Sequence, residues 1–410
     1  MTSRRAFVAW AAAAPFVLRE VLESSADTEA YWHTIRRAFD LDPSVIYLNS
    51  AGLSPAPTMV FDAMLRDTRF SNTAPVQHLW RVLEPRVEGV RRELALEFGC
   101  DPEEIAITRN ASEAMEILIS GLPLRSGDEV IVTTQNYDRM LTAWDQRARR
   151  DGIVVRKASF TLPATDADVL TAIRAAITPQ TRVIELPHLT NWTGQPMPVA
   201  EVIAMARPLG IEVFVDGAQT FAHTPVSREA LDCDYYATSL HKWLLAPLGT
   251  GFLYVRGAKI GNIWPLMAAT AERTGDIRKF EEIGTHPAAP HNAIALALVF
   301  HRAIGGARKL ARLRALRDRW VRALVAEDPR VRVRTPLDDP RSGAIALIEI
   351  DGIDTAALAQ WLWTRHHIVT SAIAFNGVTG IRVTPNVFTT LAEIDAFTDA
   401  VRAALHGGLT

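Results

Sequence analysis

Ile211-Glu-Val-Phe-Val-Asp-Gly-Ala-Gln219 is the stretch whose reading decides the fold. Ile211 to Val215 has the length and β-branched content of a buried strand, and it ends in an acid, Asp216. The same kind of run recurs upstream. Thr181 to Leu186, Gly152 to Arg156, Asp128 to Thr134 and Glu104 to Thr108 read as strands. Between and beside them Val199 to Arg207, Asp168 to Ile177, Met140 to Arg150 and Ser112 to Ser120 read as helices. Strands alternating with helices predict an α/β fold, a mostly parallel sheet wrapped by helices. After Gly251 to Val255 the pattern changes. Pro290 to Glu327 reads as long helix bent at Gly305-Gly306, and Asp339-Pro340 mark a loop. Strand-like Ala344 to Ile350 and Gly380 to Val383, with helical Thr355 to Arg365 and Leu391 to Leu405, predict a smaller α+β domain.

At 410 residues the chain has room for a large domain and a smaller one. Apolar content of 48%, charged content of 22% and a net charge of −2 describe an ordinary soluble protein, with no basic tract for nucleic acid or anionic lipid. No apolar run beyond the N-terminus is long enough to span a bilayer. Cys100 and Cys233 form no CxxC pair, and the histidines show no HExxH spacing, so no metal site is expected. Only five lysines occur, Lys157, Lys242, Lys259, Lys279 and Lys309, so chemistry that needs one has few candidates.

Parallel sheets place chemistry just past the carboxyl ends of their strands. Four such places carry reactive or binding groups. Thr108-Arg-Asn-Ala111-Ser112 opens a helix whose free N–H groups and hydroxyl suit an anion. Asp216 follows an apolar strand, where a carboxylate needs a cationic partner. Ser239-Leu-His241-Lys242-Trp243 sets a lysine against an apolar run, and a desolvated lysine becomes a nucleophile able to form a Schiff base. Gln135-Asn-Tyr137-Asp offers a ring that could stack on a flat cofactor. Taken singly, each has a plain structural reading as a helix cap, an ion pair, a snorkelling lysine or a loop tyrosine. Together they supply what pyridoxal phosphate requires: a phosphate cradle, an acid for the ring nitrogen, a lysine for the aldehyde and an aromatic cover.

Eight segments now fall in order: YLNSAGLSP from Tyr47, ITRNASEAM, TTQNYDRMLTAW, LPHLTNWTG, VFVDGAQ, TSLHKWLLAPLGTGFLYV, FEEIGT and GIRVTPNVFTT. In these the chain resembles the class V aminotransferase family of fold-type I pyridoxal phosphate enzymes, and within it the isopenicillin N epimerase-like subgroup. The resemblance implies a large domain over 47–300 with a mostly parallel seven-stranded sheet, a small C-terminal domain over 301–410, and an arm over 27–46 contributing to the small domain. It implies Lys242 as the Schiff-base lysine, Asp216 as partner of the pyridine nitrogen and Gln219 at the ring hydroxyl, with Asn191 nearby. Tyr137 stacks on the ring. Ala111, Ser112, Ser239 and His241 contact the phosphate, and Thr285 does so from the neighbouring subunit, which implies a homodimer. Arg382 grips a substrate α-carboxylate, a task suited to its fork, and Asn49 faces the substrate.

The activity so implied begins with an external aldimine to an amino acid or amino-acid-like compound, from which Lys242 removes the α-proton. Epimerisation, transamination and β-elimination by a C–S lyase share these residues and stay open. So does a non-catalytic cofactor-binding protein, although retention of Lys242 and Arg382 argues against it. The desulfurases of the family carry a nucleophilic cysteine where this chain reads His366-His-Ile-Val-Thr-Ser-Ala-Ile-Ala374, so persulfide chemistry is disfavoured. Finally, Thr2-Ser-Arg-Arg-Ala-Phe7, the apolar run Val8 to Leu18 and Ser24-Ser-Ala26 read as a twin-arginine signal over 1–26, with periplasmic export of the folded protein. A packed amphipathic helix in a cytoplasmic protein is the alternative.

Overall fold

Along β6 (Glu212–Asp216), Val213 and Val215 join one hydrophobic layer while Phe214 joins the layer on the other face. This period-two alternation with both sides buried is what a central strand of a helix-covered sheet requires. A computed structural model describes residues 28–409. Residues 1–26, read from the sequence as a twin-arginine signal, lie outside the described residues.

The central sheet has seven strands in the order β2-β8-β7-β6-β5-β3-β4. These are β2 (Ile105–Thr108), β3 (Glu129–Thr133), β4 (Val154–Ala158), β5 (Thr181–Pro187), β6, β7 (Tyr235–Ser239) and β8 (Gly251–Val255). Pairing is parallel from β4 through β3, β5 and β6 to β7, and only β8 runs against its neighbours. Helices Ala111–Gly121 and Asp138–Asp151 cover one face through Met115, Leu118 and Trp144. Helices Val87–Phe98, Val199–Ala206 and Ala289–Ile304 cover the other through Phe98, Val202 and Leu298. Gly251 opens β8 where a Cβ would lie 2.7 Å from the Asn110 backbone, so a side chain there would push away the turn that starts helix Ala111–Gly121.

The expected long helix is two, Ala289–Ile304 and Gly306–Glu327, separated by Gly305 at φ 87°. A second sheet, β12-β13-β10-β9, contains β9 (Val331–Val333), β10 (Ala346–Ile350), β12 (Ser371–Phe375) and β13 (Val378–Val383). Trp320, Ile348, Ile381 and Phe397 fill the core between this sheet and its helices.

The N-terminal connection runs further with this smaller unit than the sequence pattern indicated. The short strand β1 (Ile46–Tyr47) pairs in parallel with β11 (Ile368–Val369), and Asn49 bridges Thr384. The chain therefore leaves the smaller unit only after Asn49, not at Tyr47. Helix Glu29–Arg36 is amphipathic, with Trp32 and Ile35 buried beside Phe300, Trp243 and Phe388. Two stretches with no sequence expectation, Thr58–Thr73 and Val87–Phe98, are helices packed on Ala289–Ile304. No helix among the described residues is long and apolar enough to cross a membrane.

Candidate active site

The carboxyl ends of β2, β3, β5, β6 and β7 converge on one edge of the sheet, and the loops that follow them carry the expected groups. At the end of β7 the Ser239 hydroxyl accepts the Ala111 N–H at 2.9 Å. This brings Ser239 to the first turn of helix Ala111–Gly121, where the Ser112 N–H and the positive end of the helix dipole are presented. Asn110 caps the helix through the Glu113 N–H at 2.9 Å. His241 is buried, its Nδ1 has no partner, and burial together with the nearby Lys242 pulls its pKa down to about 4. It therefore offers a neutral imidazole.

Asp216 ends β6 and is buried. Burial raises its pKa, opposed by the Ala218 N–H donated to Oδ1 at 2.9 Å and by the Lys242 charge. No arginine or lysine makes an ion pair with it among the described residues, so the cation it requires is still to be supplied. Lys242 is half-buried and is hydrogen-bonded to no described residue. Burial lowers its pKa to about 8, with Asp216 pulling the value up and Arg382 pushing it further down. A useful fraction of neutral amine is thus present near pH 7.

Arg382 comes from β13, across the cleft. Its Nη1 donates to the Asn191 carbonyl at 2.7 Å and its Nη2 to Asn49 Oδ1 at 2.8 Å, while its Nε is buried with no partner. Burial lowers its pKa to about 10, with Tyr47 and Tyr137 favouring the charge. Asn191 thus meets Arg382 through its backbone, at the substrate end of the site. Tyr137 precedes helix Asp138–Asp151, and its ring lies 6.5 Å from Trp192, which lies 4.9 Å from Phe375 at the tip of the β12–β13 hairpin. Gln219 donates to the Ala51 carbonyl at 3.0 Å and accepts from Trp243 at 2.9 Å. Thr285 is exposed and lines a cavity with Trp80, Arg109 and Glu113, the last of these in the first turn of helix Ala111–Gly121.

Three groups had no expectation from sequence. Tyr47 faces Arg382, and its pKa is raised by burial. It sits two positions before Asn49, where strand alternation puts it on the same side. Glu185 on β5 is fully buried, accepts from Asn136 at 3.1 Å and from Trp144, and has its pKa raised to about 8 by burial. Trp192 could have been suspected only from its place beside Asn191.

The donor set fits pyridoxal phosphate. A helix N-terminus with Ser239 and the unpartnered His241 Nδ1 suits a dianion, the buried Asp216 suits a protonated pyridine, and the lowered Lys242 suits an aldehyde. Fold and site together define a fold-type I pyridoxal phosphate enzyme. The sequence profile described as aminotransferase class-V matches residues 46–404, and the chain belongs to that family. The isopenicillin N epimerase of Streptomyces clavuligerus is 30% identical over 91% of this chain and 98% of its own. The cysteine desulfurase CsdA of Escherichia coli superposes with a TM-score of 0.79 at 25% identity, over 92% of this chain and 98% of that one. C-DES, solved with glycine covalently linked to its pyridoxal phosphate, superposes with a TM-score of 0.79 at 26% identity, over 90% and 98%. The cofactor is pyridoxal 5'-phosphate and the protein is an enzyme, which sets aside the non-catalytic alternative.

Proposed function

We propose that the enzyme acts at the α-carbon of an amino acid or amino-acid-like compound, as an epimerase or aminotransferase of the isopenicillin N epimerase-like type. The observation that carries this is Arg382: a buried guanidinium with an unpartnered Nε, no carboxylate beside it, and close enough to Lys242 to lower its basicity. Such a group is held for a carboxylate brought by the substrate. Asn49 and the Asn191 carbonyl fix the fork. Tyr137 would cover the ring from the β3 loop, and Gln219 and Asn191 would meet its hydroxyl. Ala111, Ser112, Ser239 and His241 would hold the phosphate, and Asp216 would keep a proton on the ring nitrogen. When bound, the cofactor supplies an electron sink for the pair left at Cα. Lys242 takes the α-proton and returns it, as a base tuned close to neutral pH.

A second reading is a C–S lyase acting on a sulfur amino acid. It is favoured by the likeness to C-DES, described as a cystine C–S lyase in its complex with cysteine persulfide, at 26% identity. A thiol-based desulfurase is not favoured. Cys100 and Cys233 are free, both pushed to about 12 by burial, and both belong to the large unit's core. The strand Ser371–Phe375 carries none.

The test is a panel of L- and D-amino acids in deuterated water. Deuterium at Cα with inversion, or keto acid formation, supports the first reading, and sulfide or pyruvate supports the second. Release of neither, without α-exchange of any amino acid that perturbs the spectrum, sinks both. A homodimer with shared sites belongs to the same proposal, in which the exposed Thr285 of one subunit serves the phosphate of the other. Mixing Lys242→Ala with Thr285→Ala subunits should restore one native site per mixed dimer. Additive defects in the mixture refute the sharing. Twin-arginine export of residues 1–26 is tested by N-terminal sequencing from the native host, and an intact Met1 or Thr2 start in the cytoplasm refutes it.

A further inference from the structure

Trp243, the fully buried neighbour of Lys242, is bonded on three sides. Its indole N–H donates to Gln219 Oε1 at 2.9 Å. An indole N–H is only a donor, so the amide atom that meets it must be the oxygen. The Gln219 nitrogen is therefore at the opposite end, where one N–H goes to the Ala51 carbonyl at 3.0 Å. A primary amide has two such hydrogens, and the second makes no bond to a described residue.

The indole is itself immobilised. The His223 imidazole stacks on it with ring centroids 3.6 Å apart and planes inclined by 12°. His223 Nε2 accepts the Ala344 N–H at 2.7 Å, which puts its proton on Nδ1, and Nδ1 donates to the Gln219 carbonyl at 2.7 Å. Burial keeps this imidazole neutral, with a pKa lowered to about 3. Lys309, buried on helix Gly306–Glu327, donates to the Trp243 carbonyl. Trp243 thus ties Gln219 to residues of the smaller unit.

We infer that Trp243 is a positioning residue that locks the Gln219 amide so that an N–H, and not the carbonyl, faces the ring oxygen of the cofactor. A donor at that oxygen favours its anionic form and lowers the proton affinity of the oxygen and the lysine nitrogen it shares a proton with. An acceptor does the reverse. The tryptophan therefore sets the pH at which the loaded protein changes its visible absorption. The inference rests on the proposed placement of the ring against Gln219.

The experiment is a spectral pH titration of holoenzyme carrying Trp243→Phe, Gln219→Leu or both. Lys242, Asp216, His241, His223, Lys309 and Arg382 are unchanged in every variant. Gln219→Leu should move the transition upward by about one unit, a tenfold change in proton affinity. Trp243→Phe should move it in the same direction, because the freed amide can turn. The double variant should move it no further than Gln219→Leu alone, the signature of two residues acting as one. No shift in Gln219→Leu overturns the ring placement itself. A shift there with none in Trp243→Phe, or additive shifts in the double variant, overturns the role of Trp243. If Trp243→Phe does not fold, Trp243→His keeps a ring N–H, and its shift must be smaller than that of Gln219→Leu. An equal shift overturns the inference.

Discussion

Arg382→Met removes the charged fork and leaves an unbranched stem of similar reach. Among the described residues Arg382 bonds only neutral acceptors, the Asn191 carbonyl and Asn49 Oδ1, and forms no ion pair. Losing those two bonds costs about 1 kcal/mol each. Removing a buried unpaired charge offsets that cost, so the melting temperature should change by only a few degrees. Substrate binding should respond very differently. Truncating one partner of a buried, hydrogen-bonded charge pair costs about 2–5 kcal/mol, and each 1.4 kcal/mol is tenfold. The apparent affinity for an amino acid should therefore fall by about 30-fold to a few thousand-fold, with cofactor absorbance retained. The assay is a spectral titration of the loaded enzyme with an amino acid and with its carboxamide. Native enzyme should prefer the acid strongly, and Arg382→Met should bind the two alike. A variant that still prefers the acid, or a native enzyme indifferent to the carboxylate, refutes the reasoning.

Other expectations follow from single groups. Cofactor-free enzyme should capture pyridoxal phosphate faster as pH rises through about 8, because the neutral amine of Lys242 is the nucleophile, and Lys242→Ala should show no lysine-bound absorbance. A rate flat from pH 7 to 9 contradicts the depressed pKa. Glu185 has its folded pKa raised to about 8 from an ordinary 4.5. Its stabilising contribution is complete below that unfolded value and is lost as pH rises through about 8. Glu185→Gln should flatten the fall in melting temperature over that window, and unchanged slopes would count against it. The double variant Cys100→Ala, Cys233→Ala should keep its turnover, since neither thiol ionises near neutral pH. Loss of turnover in soluble, cofactor-loaded protein would restore a thiol mechanism.

Much of the site is legible because its groups lie at strand ends, and strand ends are readable from apolar runs. Asp216, Ser239 and Tyr137 each follow a run buried on both faces. Lys242 stands out because lysine is scarce. What is not legible is what the smaller unit contributes. Tyr47 and Arg382 are 335 positions apart in sequence, and only the parallel pairing of β1 with β11 and the Asn49 bridge to Thr384 bring their segments together. A two-residue strand has too little pattern to announce itself. Glu185 was hidden for a different reason. In an apolar strand a single acid reads as an interruption, and its partners Asn136 and Trp144 belong to another loop and helix. The helices at Thr58–Thr73 and Val87–Phe98 carry many charges on their outer faces, which blurs their apolar stripe.

The pairing of positions 46 and 368 also orders events during synthesis. Lys242, Asp216, Ser239 and the helix at Ala111 all lie in the first two thirds of the chain, and every strand of the central sheet is complete by Val255. A nascent chain paused after that point has made every residue proposed for the phosphate and the ring except Thr285. It cannot hold Arg382, and β1 has no partner strand to keep Asn49 in place. Pairings of such long sequence separation form late because loop closure must precede them. On the proposed assignment the residues for the cofactor are therefore synthesised before the Arg382–Asn49 pair meant for the substrate can form.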